Sequence, residues 1–203
     1  MGKVDANKEM KRIALYNTAF ELFTTQGTAK TTISDIVNKA GVAKGTFYLY
    51  FKDKYDIRSR LVEHKTQEIL RDAHQAIHEK NVTGFVSQIH FLVDFIVDRL
   101  EGDPQLMSFI HKNLSMGIFR EMLEDSGADK DGYNFREAYY EFLSQDGSVS
   151  YTDPELLIFT IIELVSGVSY SCIVQKQPVS MEIYRPYLHS AIDGILDSFS
   201  GRK

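Results

Sequence analysis

A short segment of this 203-residue chain combines a cationic, a hydroxyl and several aromatic side chains at helical spacing. Lys44 and Tyr48 are four residues apart, and so are Phe47 and Phe51, which places the two pairs on different sides of one helix. If the phenylalanines pack inward, Lys44, Thr46 and Tyr48 remain free. Ammonium, hydroxyl and phenol groups on a free helical face can bind phosphates and base edges in the major groove of DNA.

Two histidines raise the alternative of metal chemistry. His74 and His78 are four residues apart and could share an ion, with His64, Glu68 or Asp72 on the same predicted helix. No dense cluster of ligands accompanies them, so polar residues on an exposed face explain them better. We therefore expect no metal and no cofactor.

Catalysis has little support in the sequence. The chain lacks the GxGxxG, GxxxxGK[ST] and HExxH patterns, and Gly167-Val-Ser-Tyr-Ser171 does not match the nucleophile pattern GxSxG. A small helical enzyme is the least favoured of the hypotheses.

Helices must position these residues, because apolar side chains recur at helical rather than strand spacing. The predicted fold class is all-α, and the predicted helices cover about 8–26, 32–40, 44–50, 54–79, 82–101, 104–125, 130–145, 154–176 and 181–200. Thr32 and Asp53 are predicted N-caps, while Gly27 and Gly41 are predicted helix stops.

The second and third helices, joined by a turn at Gly41, form a helix-turn-helix. The predicted N-terminal domain, 1–54, holds three helices and binds DNA. A long helix joins it to a C-terminal helical domain, 55–203, for ligand binding and dimerisation.

The sequence of this motif resembles the DNA-binding signature of the TetR (tetracycline-repressor-like) family over roughly residues 10–60. The resemblance rests on Thr32, Ile36, Ala40-Gly41-Val42, Gly45-Thr46-Phe47-Tyr48, Phe51 and Lys52-Asp53-Lys54, preceded by Ala19, Leu22-Phe23 and Gly27. It implies that Lys44, Gly45, Thr46 and Tyr48 enter the major groove, with Tyr50 on the DNA backbone. Thr32 and Lys54 lie at helix N-termini, where a phosphate fits; a simple cap for Thr32 and a solvated charge for Lys54 remain alternatives.

The charge distribution fits a DNA-binding N-terminus. Residues 1–65 carry 12 Lys and Arg against 7 Asp and Glu, whereas residues 66–203 carry 11 against 21, within a net charge of −5. The single cysteine, Cys172, excludes an intrachain disulfide. With no secretion signal at the N-terminus, this predicts a cytoplasmic protein.

The C-terminal domain is rich in aromatic residues, which could line a pocket for a small-molecule effector. Polar residues embedded in apolar sequence could orient that ligand, although a satisfied core or interface role is the alternative for each. The candidate pocket residues are His90, Phe95, Phe109, Asn113, Tyr139, Glu163 and Tyr170.

The segment Leu156–Val174 carries one charged residue, Glu163, and its apolar residues cover more than one helical face. A membrane span is the alternative, but we expect no membrane and read this helix as buried against its own core and a second copy. The predicted homodimer interface comprises Leu157, Ile161, Gly167, Val168, Ser171, Leu188, Ile192, Ile195 and Phe199.

These features predict a sequence-specific transcriptional regulator, a repressor that a small molecule releases from double-stranded operator DNA. By resemblance, effector binding would change the separation of the two reading heads. An architectural or regulatory DNA-binding protein without an effector is the alternative.

Overall fold

A computed structural model of the protein describes residues 3–111, 114–115, 118, 133–145 and 149–201. The helices are α1 (Lys3–Thr25), α2 (Ile33–Ala40), α3 (Lys44–Tyr50), α4 (Lys54–Glu79), α5 (Phe85–Glu101), α6 (Pro104–Ile110), α7 (Phe135–Gln145), α8 (Pro154–Ser169) and α9 (Met181–Phe199). Two-residue strands, β1 (Ser150–Tyr151) and β2 (Ser200–Gly201), pair antiparallel. The fold is all-α apart from this pairing, as predicted.

The chain packs as two units, Met1–His64 and Lys65–Lys203, that divide within α4. The predicted boundary after residue 54 falls at the start of the same helix, and its placement remains a prediction. Parts of the predicted helices 104–125 and 130–145 lie outside the described residues.

The first unit is built on apolar side chains that α1 to α4 each contribute. Leu15 and Ala19 of α1, Ile36 of α2, Phe47 of α3 and Ile57 of α4 are fully buried. Ile13 is 47% exposed, so the buried face of α1 is centred on Leu15 and Ala19. This shared core fixes the orientation of the seven-residue α3, which is too short to be stable alone.

In the second unit, α8 packs on α9 and on α5. The segment predicted as one helix over 154–176 changes its winding after Ser169, because Tyr170–Gln175 forms a π-helical turn. The combined segment Pro154–Gln175 is long and apolar enough to cross a membrane by length and composition. Buried helices of soluble proteins pass the same test, and Leu157, Ile158 and Ile161 are buried in this unit.

Candidate nucleic-acid interface and effector unit

The turn between α2 and α3 depends on Gly41. This residue has φ +67°, a left-handed conformation that side chains other than glycine rarely adopt. The N–H of Gly41 donates to the Asn38 carbonyl at 3.3 Å, and that of Val42 donates to the Val37 carbonyl at 3.0 Å. These bonds end α2 sharply and let the chain enter α3 within three residues.

The start of α2 is fixed by a reciprocal capping box. The Asp35 backbone N–H donates to the Thr32 hydroxyl oxygen at 3.1 Å, and the Thr32 N–H donates to the Asp35 carboxylate at 2.9 Å. The bond from the Thr32 backbone, supported by the Thr32 hydroxyl, lowers the pKa of Asp35 below its ordinary value. The predicted cap is confirmed, while phosphate binding by Thr32 stays a prediction.

The two sides of α3 have the different surroundings that their spacing predicts. Phe47 and Phe51 are buried, with ring centroids 5.5 Å apart. Lys44 and Gly45 are exposed, and Tyr48 is 53% exposed with its ring edge against Phe47. Across the part of the chain that the structure describes, the Lys44 ammonium forms no ion pair. A cation and a phenol are therefore available to a partner beside an unobstructed backbone.

Two other predicted DNA contacts are less exposed than Lys44 and Tyr48. Thr46 is half-buried, and its N–H donates to the Ala43 carbonyl at 2.8 Å. The Tyr50 hydroxyl donates to the backbone carbonyl of Lys8 in α1 at 3.1 Å. Tyr50 thus braces α3 against α1, and a DNA contact would have to use its remaining lone pair.

Lys54 has partners that its sequence position did not suggest. Its ammonium donates to the carbonyl oxygens of Ala29, at 2.9 Å, and Thr31, at 3.0 Å, in the loop before α2. The alternative of a merely solvated charge is therefore wrong, because this side chain connects the first turn of α4 to that loop. Phosphate binding by Lys54 remains a prediction, although two of its three N–H groups are already engaged.

Sequence reasoning missed several exposed groups next to the motif. Leu49 on α3 is 80% exposed. Lys30 before α2 and Lys52 after α3 are exposed, and neither side chain has an ion-pair partner within the described ranges. Their flanking positions were the available signal, because basic residues that border a helix-turn-helix are placed to meet phosphates.

The second unit contains two small apolar cavities on either side of Ile89 and Leu92 of α5. The first is also lined by aliphatic side chains of α8, among them Ile158, Ile161 and Val165. The second lies between α4, α5 and α7 and is lined by Tyr139. Each has room for about one water-sized sphere, so a larger ligand needs the surrounding side chains to move apart.

Of the predicted pocket residues, Tyr139 lines a cavity. It is 2% exposed, its hydroxyl donates to the Pro154 carbonyl at 2.8 Å, and burial raises its pKa. Four other predicted pocket residues line neither cavity: Phe95 is half-buried near Phe91, and Phe109 is buried. Tyr170 stacks on His111, and Glu163 is exposed and accepts a hydrogen bond from the Ser115 hydroxyl. Asn113 lies outside the described residues.

His90 was also predicted to line the pocket, but it belongs to a polar network that joins α5 to α9. Its Nδ1 lies 3.0 Å from Nδ1 of His189, and its Nε2 lies 2.7 Å from an Asp193 carboxylate oxygen. Arg185 extends the network by donating to Asp94 at 3.0 Å. These groups hold α9 against α5, and none of them lines either cavity.

The predicted dimer residues divide into two groups. Leu157, Ile161, Leu188 and Ile192 are at most 1% exposed within the single chain, so their side chains form its own core and are not free to contact a second copy. Apolar residues lie on more than one face of α8, so the sequence did not show which face points inward.

The remaining predicted interface residues are accessible to some degree: Gly167 is exposed, and Val168, Ser171, Ile195 and Phe199 are half-buried. Beside them the structure adds exposed apolar side chains that the sequence prediction omitted, Leu156 at 48%, Ile183 at 57% and Tyr187 at 69%. A β-carbon built at Gly167 or Gly194 meets nothing within 4 Å. The outer sides of α8 and α9 thus combine exposed apolar side chains with glycines that leave open space beside the helix backbone.

One group of three potential metal ligands occurs among the described residues. It combines His74 and His78 of α4 with Glu141 of α7, and their ligand atoms lie within 4.8 Å of one another. The third ligand comes from another helix, and not from His64, Glu68 or Asp72 on α4, which the sequence offered as companions.

The chain is similar to known bacterial regulatory proteins. A family model described as "Bacterial regulatory proteins, tetR family" matches residues 15–61, the segment that contains the capping box, the Gly41 turn and α3. The chain is 36% identical over 73 residues to a "Fatty acid metabolism regulator protein" of Bacillus subtilis (strain 168). That match spans 36% of this chain and 38% of the relative, less than half the length of each.

A longer match is to a "Probable acrEF/envCD operon repressor" of Escherichia coli (strain K12), with 25% identity over 93% of this chain and 86% of that protein. Among solved structures, a "transcriptional regulator FadR from Bacillus subtilis in complex with stearoyl-CoA" is similar with a TM-score of 0.57 and 19% identity. The similarity covers 89% of this chain and 97% of that one, and it shows that the two share a fold.

Proposed function

Since the chain belongs to the TetR family of bacterial regulatory proteins, we propose that it is a cytoplasmic transcriptional repressor that binds operator DNA as a homodimer. A small apolar molecule that enters the second unit releases it. The relatives reported above are named as regulators and not as enzymes. The observation that carries this proposal is the side of α3 where Lys44, Gly45 and Tyr48 are exposed over a core of Phe47 and Phe51.

The operator contact is tested by selecting bound DNA sequences from a random pool and measuring affinity for the selected site. Lys44→Ala and Tyr48→Ala should each weaken binding by about 1–3 kcal/mol if the side chains contact bases. Lys11→Ala, at an exposed lysine of α1, is the matched control and should bind like the parent. Parent affinity in both α3 variants would refute the assignment of α3 as the reading helix.

The homodimer is proposed to form through the outer sides of α8 and α9. Exposed apolar side chains there, including Leu156 and Tyr187, would be removed from water by a second copy of the chain. The open space at Gly167 and Gly194 allows a second helix to approach closely. Dimerisation suits an operator with two half-sites, because two-fold symmetry in the protein is matched by symmetry in the DNA.

Gly167→Glu should produce monomers with weakened operator binding, since it places a charge in the middle of this surface. Arg99→Glu on α5 is the control that also introduces an exposed glutamate. Sedimentation at micromolar concentration measures the outcome. A monomeric parent, or a dimer unaffected by Gly167→Glu, would refute this interface.

The proposed effector is a molecule with a long apolar chain. Both cavities of the second unit are lined mostly by aliphatic and aromatic side chains, and the similar B. subtilis structure was solved with stearoyl-CoA. Because the cavities are narrow, the ligand would select a minor, more open conformation, and operator release requires that this conformation bind DNA less well.

Stearoyl-CoA is the first probe, with coenzyme A alone as the control for the head group. We expect stearoyl-CoA, and not coenzyme A, to lower operator affinity and to raise the thermal midpoint of the free protein. If neither acyl chains nor other apolar metabolites change operator binding, the alternative of an effector-independent DNA-binding protein is favoured.

A further inference from the structure

We propose that His74, His78 and Glu141 bind one divalent transition-metal ion of the Zn²⁺ class and thereby connect α4 to α7. The two histidines are adjacent on one face of α4, and their Nε2 atoms lie 3.0 Å apart. Glu141 of α7 brings a carboxylate into the same group, with all ligand atoms within 4.8 Å of one another. Imidazole and carboxylate together are a donor set that suits Zn²⁺, Co²⁺ and Ni²⁺.

The separation of the two imidazole nitrogens shows how far the site must adjust to hold an ion. At 3.0 Å the two Nε2 atoms are at hydrogen-bond distance. Ligands at 2.0–2.2 Å from a tetrahedral ion lie roughly 3.3–3.6 Å apart, so the histidines need to separate by a few tenths of an ångström. Glu141 needs to approach by roughly 1 Å, which rotation of an exposed side chain allows.

The surroundings of His74 are partly apolar. His74 is half-buried, and aromatic rings cover it, with centroids 5.4 Å away at Tyr133 and 5.5 Å away at Phe142. These rings limit the contact of His74 with water, and its Nε2 atom lies against that of His78.

The position of the site gives it a regulatory consequence. His74 also lines the second cavity, so an ion bound here would lie at the edge of the space assigned to the effector. Three protein ligands leave coordination positions for water or for a polar group of that effector. The same helix, α4, begins at Lys54 in the DNA-binding unit. The effect on DNA rests on the proposed repressor function, whereas metal binding itself does not.

Metal binding is tested with tag-free, full-length protein titrated with Co²⁺ and then with Zn²⁺ in competition with a chromophoric chelator. We expect one ion per chain, with Co²⁺ absorption bands typical of low coordination number. His78→Gln and Glu141→Gln, both at exposed positions, should each weaken metal binding by about 10–100-fold or more. A loss of about 10–100-fold is typical when a group that only orients a metal ligand is removed, and loss of a ligand should cost at least as much. Circular dichroism checks that both variants fold.

The second histidine pair provides the matched control. His90→Gln alters a pair whose Nδ1 atoms also lie 3.0 Å apart, but the nearby Asp193 carboxylate contacts the other ring nitrogen of His90. Among the described residues these side chains do not form a group of three ligand atoms, so His90→Gln should bind the ion like the parent. Absent binding in the parent, unchanged affinity in His78→Gln and Glu141→Gln, or equal loss in His90→Gln would overturn the proposal.

The regulatory part is measured with the selected operator. Zn²⁺ should change operator affinity of the parent by about fivefold or more and leave that of Glu141→Gln unchanged. If the ion binds and operator affinity stays constant, the regulatory part is wrong. If no operator is bound with or without Zn²⁺, the proposed function fails, and the Co²⁺ spectrum still reports on the site.

Discussion

Replacement of Lys54 by methionine distinguishes the two roles that sequence and structure suggest for this residue. Methionine keeps the length of the side chain and removes the ammonium that donates to the carbonyls of Ala29 and Thr31. The bond to Ala29 is exposed and contributes about 0.5 kcal/mol, and the partly buried bond to Thr31 contributes about 1–1.5 kcal/mol. We expect a loss of roughly 1.5–2 kcal/mol in the local stability of the loop and the first turn of α2.

Native-state hydrogen exchange over residues 27–40 measures this loss directly. Because about 1.4 kcal/mol corresponds to a factor of ten, protection there should fall by about tenfold or more, while amides of α5 keep their parent protection. Lys52→Met is the matched control, since that lysine is exposed, and it should change stability by no more than about 0.5 kcal/mol.

If Lys54→Met retains parent protection but weakens binding to every DNA sequence and reduces the salt slope by about 0.9, Lys54 is a phosphate contact rather than a connection to the loop. A combined loss would show that the third N–H serves DNA while the other two hold the loop.

Three further predictions concern the first unit. Phe47→Ala removes a fully buried ring and should cost about 3–5 kcal/mol, seen as local exchange over residues 10–60 before the second unit opens, with Tyr48→Ala as the exposed control. Gly41→Ala should lower the thermal midpoint because φ is +67°, whereas Gly45→Ala should raise it through better helix propensity; equal effects would contradict the assigned turn. The pKa of Asp35 is lowered in the folded state. Its contribution to the free energy of unfolding is therefore present above about pH 4 and is lost as the pH falls through the folded-state pKa. Asp35→Asn should not show this acid-induced loss in urea titrations from about pH 2 to 7.

The sequence predicted best those features that depend on neighbouring residues. The Thr32 cap, the positive φ of Gly41 and the burial of Phe47 each follow from residues within four positions. Asp53 likewise caps α4, accepting from the N–H groups of Tyr55 and Asp56 as expected. Local hydrogen-bonding rules and helical periodicity contain enough information for such features.

Features that join distant segments could not be predicted in the same way. Lys54 contacts a carbonyl 25 residues earlier, and His90 contacts a histidine 99 residues later. Periodicity also failed on α8, where apolar residues lie on more than one face, so that Leu157 and Ile161 could not be distinguished from the apolar residues of the other faces. Glu141 joins His74 and His78 only because α7 packs near α4.

Gly45 has a consequence for how such a protein can diversify. A β-carbon built there meets no atom within 4 Å, and the backbone is helical, so the fold itself does not require glycine. Any side chain introduced at this codon would extend from the exposed side of α3 without changing the core below it. A single nucleotide substitution can therefore alter the surface offered to the DNA groove while the protein stays folded. If α3 is the reading helix, Gly45 is the position at which duplicated copies of the gene can diverge toward new operators in one mutational step.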